Sequence, residues 1–309
     1  MKHDLYVLAG ATATGKTSVA HVLARMLDAA ILSADAMLIY QGMDIGTAKP
    51  TPAERAGLTY GGLDCVTPDQ SFSVGQYRDV ALAFLRSLPD QQPVVVVGGT
   101  GLYIKSLLAG LDPMPPVDPA VRREVDRVYE QGGVAALQAA CQAEAPERYA
   151  SLKDPANPRR LSRVLELARM GVPAQSAWQR TMKGRCAILQ RERAQLHQRI
   201  ERRVEDMYAH GLVAEVESLL QRWPNWSKTA AMAIGYREAR ARLAGELSEA
   251  KAKAETARRT RHYARRQQTW FRHQLPQDTI AVVETDTPDD IAARVAQSWR
   301  THGPCELAN

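Results

Sequence analysis

The sequence is short of most features that would settle its class at a glance. Nowhere in its 309 residues is there an apolar run of the roughly 18 needed to cross a bilayer as a helix. Its four cysteines, Cys65, Cys141, Cys186 and Cys305, are widely scattered with no C-x-x-C pair. That spacing excludes a structural zinc ribbon and predicts reduced thiols. Aromatics are scarce at 6%, so the core must rest on Leu, Val and Ala. With 20 Gly and 17 Pro, usage is ordinary, and collagen-like or low-complexity chains are excluded. Met1-Lys2-His3-Asp4 leads straight into an apolar strand, which leaves no room for a secretory h-region. These absences predict a soluble, cytoplasmic protein of two domains, or of one α/β core carrying an insertion.

Charge is present and unevenly placed. Lys and Arg number 40 against 34 Asp and Glu, a net +6. Residues 1–115 balance at −2, and the rest of the chain at +8. The segment 258–272 holds Arg258, Arg259, Arg261, Arg265, Arg266, Arg272 and His262 with no acid among them. A merely solvated helix face intersperses Glu among its arginines, so this row predicts a polyanion-binding face.

Along the chain, Leu5–Ala9, Ala29–Ser33 and Pro93–Val97 read as buried strands. Helical spacing covers Ser18–Leu27 and Ser73–Leu88, and a further helical run follows Gly98-Gly99 through Leu108. Such alternation implies a parallel sheet with right-handed crossovers. Past Leu111 four prolines punctuate the chain, and helical patterns follow over about 118–142, 158–170, 190–222, 228–243 and 247–272. A strand over Thr279–Val283 and a helix over Asp286–Trp299 return to the core, with Thr287-Pro288-Asp289-Asp290 as the helix start. The predicted fold class is α/β, with a P-loop NTPase-like parallel sheet core and an inserted, mostly helical lobe. The expected boundaries are 1–116 for the first part of the core, 117–190 for the lobe, and 191–309 for a helical segment that returns to the core.

The string Gly10, Ala11, Thr12, Ala13, Thr14, Gly15, Lys16, Thr17 fits G-x-x-x-x-G-K-[ST] between a strand and a helix. Its glycines let backbone amides turn around phosphate oxygens, Lys16 supplies a charge and Thr17 a hydroxyl for Mg²⁺. The motif specifies phosphate rather than ATP. Asp35 ends the second strand, at the edge where open α/β sheets bind ligands. It could serve as a general base or as an Mg²⁺ anchor. Gly98-Gly99-Thr100-Gly101 follows the third strand, and its three glycines predict close backbone approach to a ligand, with Thr100 facing the same crevice. Trp223, Trp226, Met207 and the leucines of 211–220 read as core; the seven histidines show no metal-ligand spacing.

Taken together, GATATGKT at 10–17, DAMLIYQGMDIGTAKP at 35–50, GGTGLY at 98–103, RRLSRVLEL at 159–167, AIGYRE at 233–238 and TRHYARRQQTWFR at 260–272 resemble the tRNA dimethylallyltransferase (isopentenyl-tRNA transferase) family of bacterial type. The resemblance implies transfer of a dimethylallyl group from dimethylallyl diphosphate to the exocyclic amine of adenosine 37, with Mg²⁺ as cofactor and the tRNA anticodon stem-loop as partner. It implies that Asp35 accepts the amine proton or orients the amine, and that Thr100 contacts the bridging oxygen of the leaving diphosphate. By the same correspondence Arg203 contacts the diphosphate, and Lys16 and Thr17 bind phosphates and Mg²⁺. Contacts to tRNA would come from Asp35, Ala36, Met37 and Leu38, from Thr100 and Arg122, and from Arg159, Arg160, Leu161, Ser162 and Arg163. Further contacts would come from Ala233, Ile234, Gly235, Tyr236, Arg237 and Glu238, and from Arg265, Arg266, Gln267, Trp270 and Arg272.

Three departures stand out. Ala36 replaces the family's usual Ser and removes a hydroxyl that could bond the base or Asp35. Tyr60-Gly61-Gly62 replaces a His-His pair, which predicts fewer polar contacts and added mobility. Lys183-Gly184-Arg185 reads as a basic, pliable return to the core. The competing readings are a P-loop kinase of a small metabolite, an RNA-binding protein with a vestigial phosphate loop, and a prenyltransferase acting on free adenine nucleotide. The basic helical segments and the intact Lys16, Thr17, Asp35 and Thr100 favour the tRNA enzyme. An asymmetric RNA ligand needs no two-fold partner, so a monomer is expected.

Overall fold

The computed structural model describes residues 3–111, 115–173 and 181–308. Short apolar runs set the first elements: β1 (Leu5–Gly10), α1 (Lys16–Leu27), β2 (Ala30–Ser33), β3 (Tyr60–Gly61), α2 (Val74–Ser87), β4 (Val94–Gly98) and α3 (Gly101–Leu108). Every residue of β2 and β4 is buried, as strands covered on both faces require. Helices α4 (Pro119–Glu144), α5 (Pro146–Ala150) and α6 (Pro158–Arg169) follow. The chain then runs through β5 (Cys186–Arg191), α7 (Arg193–Ala209), α8 (Leu212–Arg222), α9 (Lys228–Ala231), α10 (Tyr236–Leu243), α11 (Glu249–Gln274), β6 (Gln277–Val282) and α12 (Pro288–His302).

The six strands form one all-parallel sheet in the order β3-β2-β4-β1-β5-β6. Helices α1 and α12 bury Val19, Leu23, Ile291, Val295 and Trp299 against one face. Helices α2, α3 and α11 bury Tyr77, Leu85, Ile104, Leu107 and Phe271 against the other. A second core joins α7, α8, α10 and α11 to Ile39, Tyr40 and Met43 of the segment after β2, and takes in Met207, Trp223 and Trp226 as expected. Thr287 caps α12 through the Asp290 amide, with Pro288 in its first turn, as the sequence predicts.

Two compact units emerge, one of residues 1–110 and 180–309, the other of 111–179. The smaller has its own core of Val125, Leu137, Cys141, Leu161 and Leu165 between α4 and α6. Strand β5 corrects the expectation that residues up to 190 belong to the helical lobe: it pairs with β1 and β6 inside the core sheet. Cys186–Leu189 is too short an apolar run, and too close to Gln- and Arg-rich helix formers, to stand out as a strand. The helical pattern over 190–222 is two helices broken at Gly211, whose φ of +94° is left-handed. Likewise 228–243 divides into α9 and α10.

Candidate active site

The phosphate loop leaves β1 and enters α1 through Gly15, which has φ +92°. Its bracing is internal on one side, where the Thr14 hydroxyl donates to the Ala11 carbonyl at 2.8 Å and Lys16 Nζ to the same oxygen at 3.3 Å. On the other side two arginines outside any motif hold its carbonyls. Arg191 Nε donates to Thr14 O at 3.1 Å, and Arg199 Nε to Ala13 O at 2.9 Å. A peptide's N–H points opposite to its C=O, so the Thr14 carbonyl bound outward turns the Gly15 amide inward, whereas the Thr14 amide bonds the Ala11 carbonyl at 3.4 Å.

Three charges face one another beside this loop. Lys16 lies deep enough among protein atoms that desolvation pulls its pKa down to about 8, although some of its surface still reaches solvent; Asp35 opposes that shift and Arg203 adds to it. Burial lowers Arg203 as well, again opposed by Asp35. Arg203 is aimed by a bond from its terminal nitrogen to the Thr47 carbonyl at 2.9 Å. Two half-buried cations with one facing carboxylate form a site short of negative charge, which a phosphate-bearing ligand would supply.

Asp35 and Thr100 meet at the carboxyl edge of β2 and β4. Asp35 Oδ1 accepts the Met37 amide at 2.9 Å, which leaves the second carboxylate oxygen available. Thr100 Oγ1 accepts the Ala36 amide at 2.9 Å, which leaves its proton to donate, with the Tyr263 hydroxyl within hydrogen-bond range. The glycines around Thr100 correct the expectation that a ligand fills the space they leave. A Cβ at Gly98 would collide with the Ala34 carbonyl, at Gly99 with the Gln267 amide, and at Gly101 with the Trp270 ring. The protein's own groups occupy that space.

The turn-rich segment 35–50 is held from two sides. Lys49, buried, bonds the Tyr40 carbonyl at 2.7 Å and pairs with Asp44 and Asp64, both at 2.6 Å. Glu215 accepts the Asp44 and Ile45 amides and the Tyr236 hydroxyl, the last at 2.6 Å. Tyr236, Ala233, Gly235 and Glu238 are buried, with Glu238 capping Gly235 N at 2.8 Å and paired to Arg259. Their side chains therefore build this wall, while Ile234 is half-buried and Arg237 exposed. Met37 and Leu38 are half-buried beside Ala36.

The arginine row lies on α11, where three members are already paired: Arg258 with Glu255, Arg259 with Glu238 and Arg261 with Glu201. Arg265, Arg266 and Arg272 are exposed and make no ion pair among the described residues. Arg266 lies 5.8 Å from the Tyr263 ring centroid. Arg191, Arg193, His197, Arg261, His262 and Arg265 line a cleft of about 510 Å³ along this helix. In the smaller unit, Glu166 is buried and receives Arg122 at 3.1 Å and Arg163 at 3.4 Å. Arg159 and Arg160 are exposed at the start of α6, where Asn157 caps; Ser162 is half-buried, and Leu161 is core.

The departures acquire physical reasons. Gly61 pairs with Leu32 inside the sheet, and a Cβ there would strike the Phe84 ring, so the glycine is a packing device rather than a mobile hinge. Tyr60 bonds His21 at 3.1 Å. Gly184 sits against Cys305 and its neighbours bond outward, Lys183 to Glu306 at 2.9 Å and Arg185 to the Gln277 carbonyl. That return segment is pinned, not pliable. Among the described residues no three His, Cys, Asp or Glu cluster as a metal cage. The Thr17 hydroxyl, which makes no hydrogen bond among the described residues, and the Asp35 carboxylate are hard oxygen donors of the kind Mg²⁺ accepts alongside phosphate and water.

The IPP transferase family model matches residues 38–274. A tRNA dimethylallyltransferase of Thermus thermophilus is 40% identical over 89% of this chain and 91% of its own length. One from Rhodopirellula baltica is 38% identical over 93% and 91%. Among solved structures, the tRNA isopentenylpyrophosphate transferase of Bacillus halodurans superposes with a TM-score of 0.69 at 31% identity, covering 97% of this chain and 98% of that one. A eukaryotic dimethylallyltransferase acting on tRNA shares the fold at a TM-score of 0.75 and 20% identity, over 96% of this chain and 78% of its own. With its phosphate loop, Asp35 and Thr100 at one sheet edge and this likeness over nearly its whole length, the chain belongs to the IPP transferase family, the prenyl transferases of tRNA.

Proposed function

We propose that the protein moves a dimethylallyl group from dimethylallyl diphosphate to the exocyclic N6 amine of adenosine 37, beside the anticodon of tRNA, forming N6-(dimethylallyl)adenosine. The observation that carries this reading is the meeting of Asp35, Lys16 and Arg203 at the end of the phosphate loop. An aryl amine is a weak nucleophile, whereas an allylic C–O bond breaks readily once the departing charge is stabilised. Lys16, Arg203 and the loop amides would hold the diphosphate as that bond lengthens. The Thr100 proton would go toward the bridging oxygen. As the C–N bond forms, the amine proton passes to Asp35. Mg²⁺, held by Thr17 with Asp35 nearby, would neutralise diphosphate charge.

The target base must leave its stack to reach an enclosed site. Exposed Arg265, Arg266 and Arg272 on α11 suit RNA phosphates, and so, in the smaller unit, do Arg159 and Arg160 on α6. No helix among the described residues is long and apolar enough to cross a membrane; with a tRNA substrate, a monomer working in the cytoplasm fits best. The test is incubation with Mg²⁺, unmodified tRNA and labelled dimethylallyl diphosphate, with ATP as a competing donor. Label on tRNA at adenosine 37, unaffected by ATP, is expected. Transfer to free adenine nucleotide but not to tRNA would overturn the substrate assignment.

A further inference from the structure

Gln267 lies in the middle of the arginine row, yet it does not face solvent; only 5% of its surface is exposed. Both ends of its amide are engaged by backbone far away in sequence. Its Oε1 accepts the Thr12 amide of the phosphate loop at 2.9 Å, and its Nε2 donates to the Gly99 carbonyl at 2.8 Å. Gly99 has room for this contact only because it lacks a Cβ. One turn earlier, Tyr263 lies within interaction range of the Thr100 hydroxyl and of Gln267 itself. One turn in the other direction, Trp270 rests on Gly101. Helix α11 thus bears exposed arginines on one side and, from the same two turns, locks both loops of the crevice on the other.

We propose that Gln267 is a positioning residue that couples RNA seating on α11 to the diphosphate pocket, fixing the phosphate loop and the Thr100 turn in register. An amide is the one side chain of this length that accepts at one end and donates at the other in a single plane. A rigid helix displaced by RNA phosphates would shift Thr12 and Gly99 together. Binding at one site then changes affinity at the other by the same factor in both directions. The inference rests on the diphosphate reading of the phosphate loop.

The test uses full-length protein, tRNA and inorganic diphosphate with Mg²⁺, comparing wild type with Gln267→Met and Gln267→Glu, each checked for a cooperative thermal melt. Diphosphate binding by the wild type alone tests the loop reading separately: none at all would overturn that reading, and this inference with it. The wild type is expected to bind diphosphate at least fivefold more tightly with tRNA present. Gln267→Met should reduce that factor to near one while its tRNA affinity changes less than threefold. In Gln267→Glu the introduced carboxyl can stand in for the amide only when protonated. The ratio of variant to wild-type kcat should therefore rise as pH falls from 8 to 6, which tests the paired hydrogen bonds, while the coupling factor is the readout that a merely structural role would leave unmoved. A tRNA affinity lost in Gln267→Met with the coupling factor intact would make Gln267 an RNA contact and overturn the proposal. So would a wild type without coupling, or a flat pH ratio.

Discussion

The sheet-edge crevice and the arginine row of α11 are both basic, but they are built on opposite plans. The crevice holds few charges, largely enclosed and facing one another: Asp35 and Arg203 both act on the ionisation of Lys16, and Asp35 acts on that of Arg203. The α11 row has six arginines in sequence, but three are tied to Glu255, Glu238 and Glu201, and the free ones sit in solvent. Counting charge along a sequence therefore overstates what a surface offers and understates what a crevice does. In low dielectric a single charge moves its neighbours strongly, whereas exposed charges are screened within a Debye length of about 8 Å. Single substitutions should accordingly have large, specific effects in the crevice and small, graded ones on the helix.

Asp35→Asn gives the sharpest contrast. Removing the proposed base should lower kcat by roughly 10²–10⁴-fold. Because Asp35 faces two cations, its loss leaves the crevice more positive, so inorganic diphosphate without Mg²⁺ should bind more tightly at the same time. Single-turnover transfer and calorimetry check the two halves. A kcat within threefold of wild type would remove Asp35 from the proton transfer.

Most of the sheet was legible because its strands are uninterrupted apolar runs, and the phosphate loop because its chemistry fixes residue types at fixed spacing. What escaped was set by partners distant in sequence. Arg191 and Arg199 brace loop carbonyls from β5 and α7, and no local pattern marks them. Gln267, expected from the resemblance to contact tRNA, is instead buried between the Thr12 amide and the Gly99 carbonyl. The glycines beside Thr100 read as room for a ligand, since a sequence shows where a Cβ is missing but not what fills the gap. Gly98→Ala makes the point measurable: the added methyl meets the Ala34 backbone, which cannot swing aside. The expected cost is about 1–3 kcal/mol, as for overpacked cores, seen as a lowered Tm. An unchanged Tm would mean that the β2–β4 edge yields more than its hydrogen bonds suggest.

Lys16 supplies a pH signature that the helix cannot. Its folded pKa of about 8 lies below the ordinary 10.5, so the free protein loses this cation as pH rises past 8. Above that point kcat/KM for dimethylallyl diphosphate should decline by up to about tenfold per pH unit, and Lys16→Met should be low and flat across the same range. The effect on stability has the opposite sign. The folded state holds this proton less tightly than the unfolded state, so the destabilisation is fully present below about 8 and is relieved between about 8 and 10.5. A wild-type profile that is level from pH 7 to 9.5 would show that Lys16 is not the group binding the donor.

The smallest effects belong to α11 and test whether pairing, rather than position, decides which arginines serve RNA. Arg265 is exposed and has no ion pair among the described residues, whereas Arg258 on the same helix is bonded to Glu255 through both its Nε and a terminal nitrogen, at 2.7 and 2.6 Å. An arginine that neutralises one phosphate releases one counterion, so Arg265→Ala should flatten the slope of log affinity against log salt by about 0.7 to 0.9. At moderate salt that is a loss of a few fold, with kcat at saturating tRNA unchanged. Arg258→Ala should leave the slope where it was, because its charge is already matched by a carboxylate. The experiment is tRNA binding by fluorescence anisotropy over a salt series for both variants. Equal slopes for the two would mean that RNA draws Arg258 away from Glu255, and that the row acts as a whole after all.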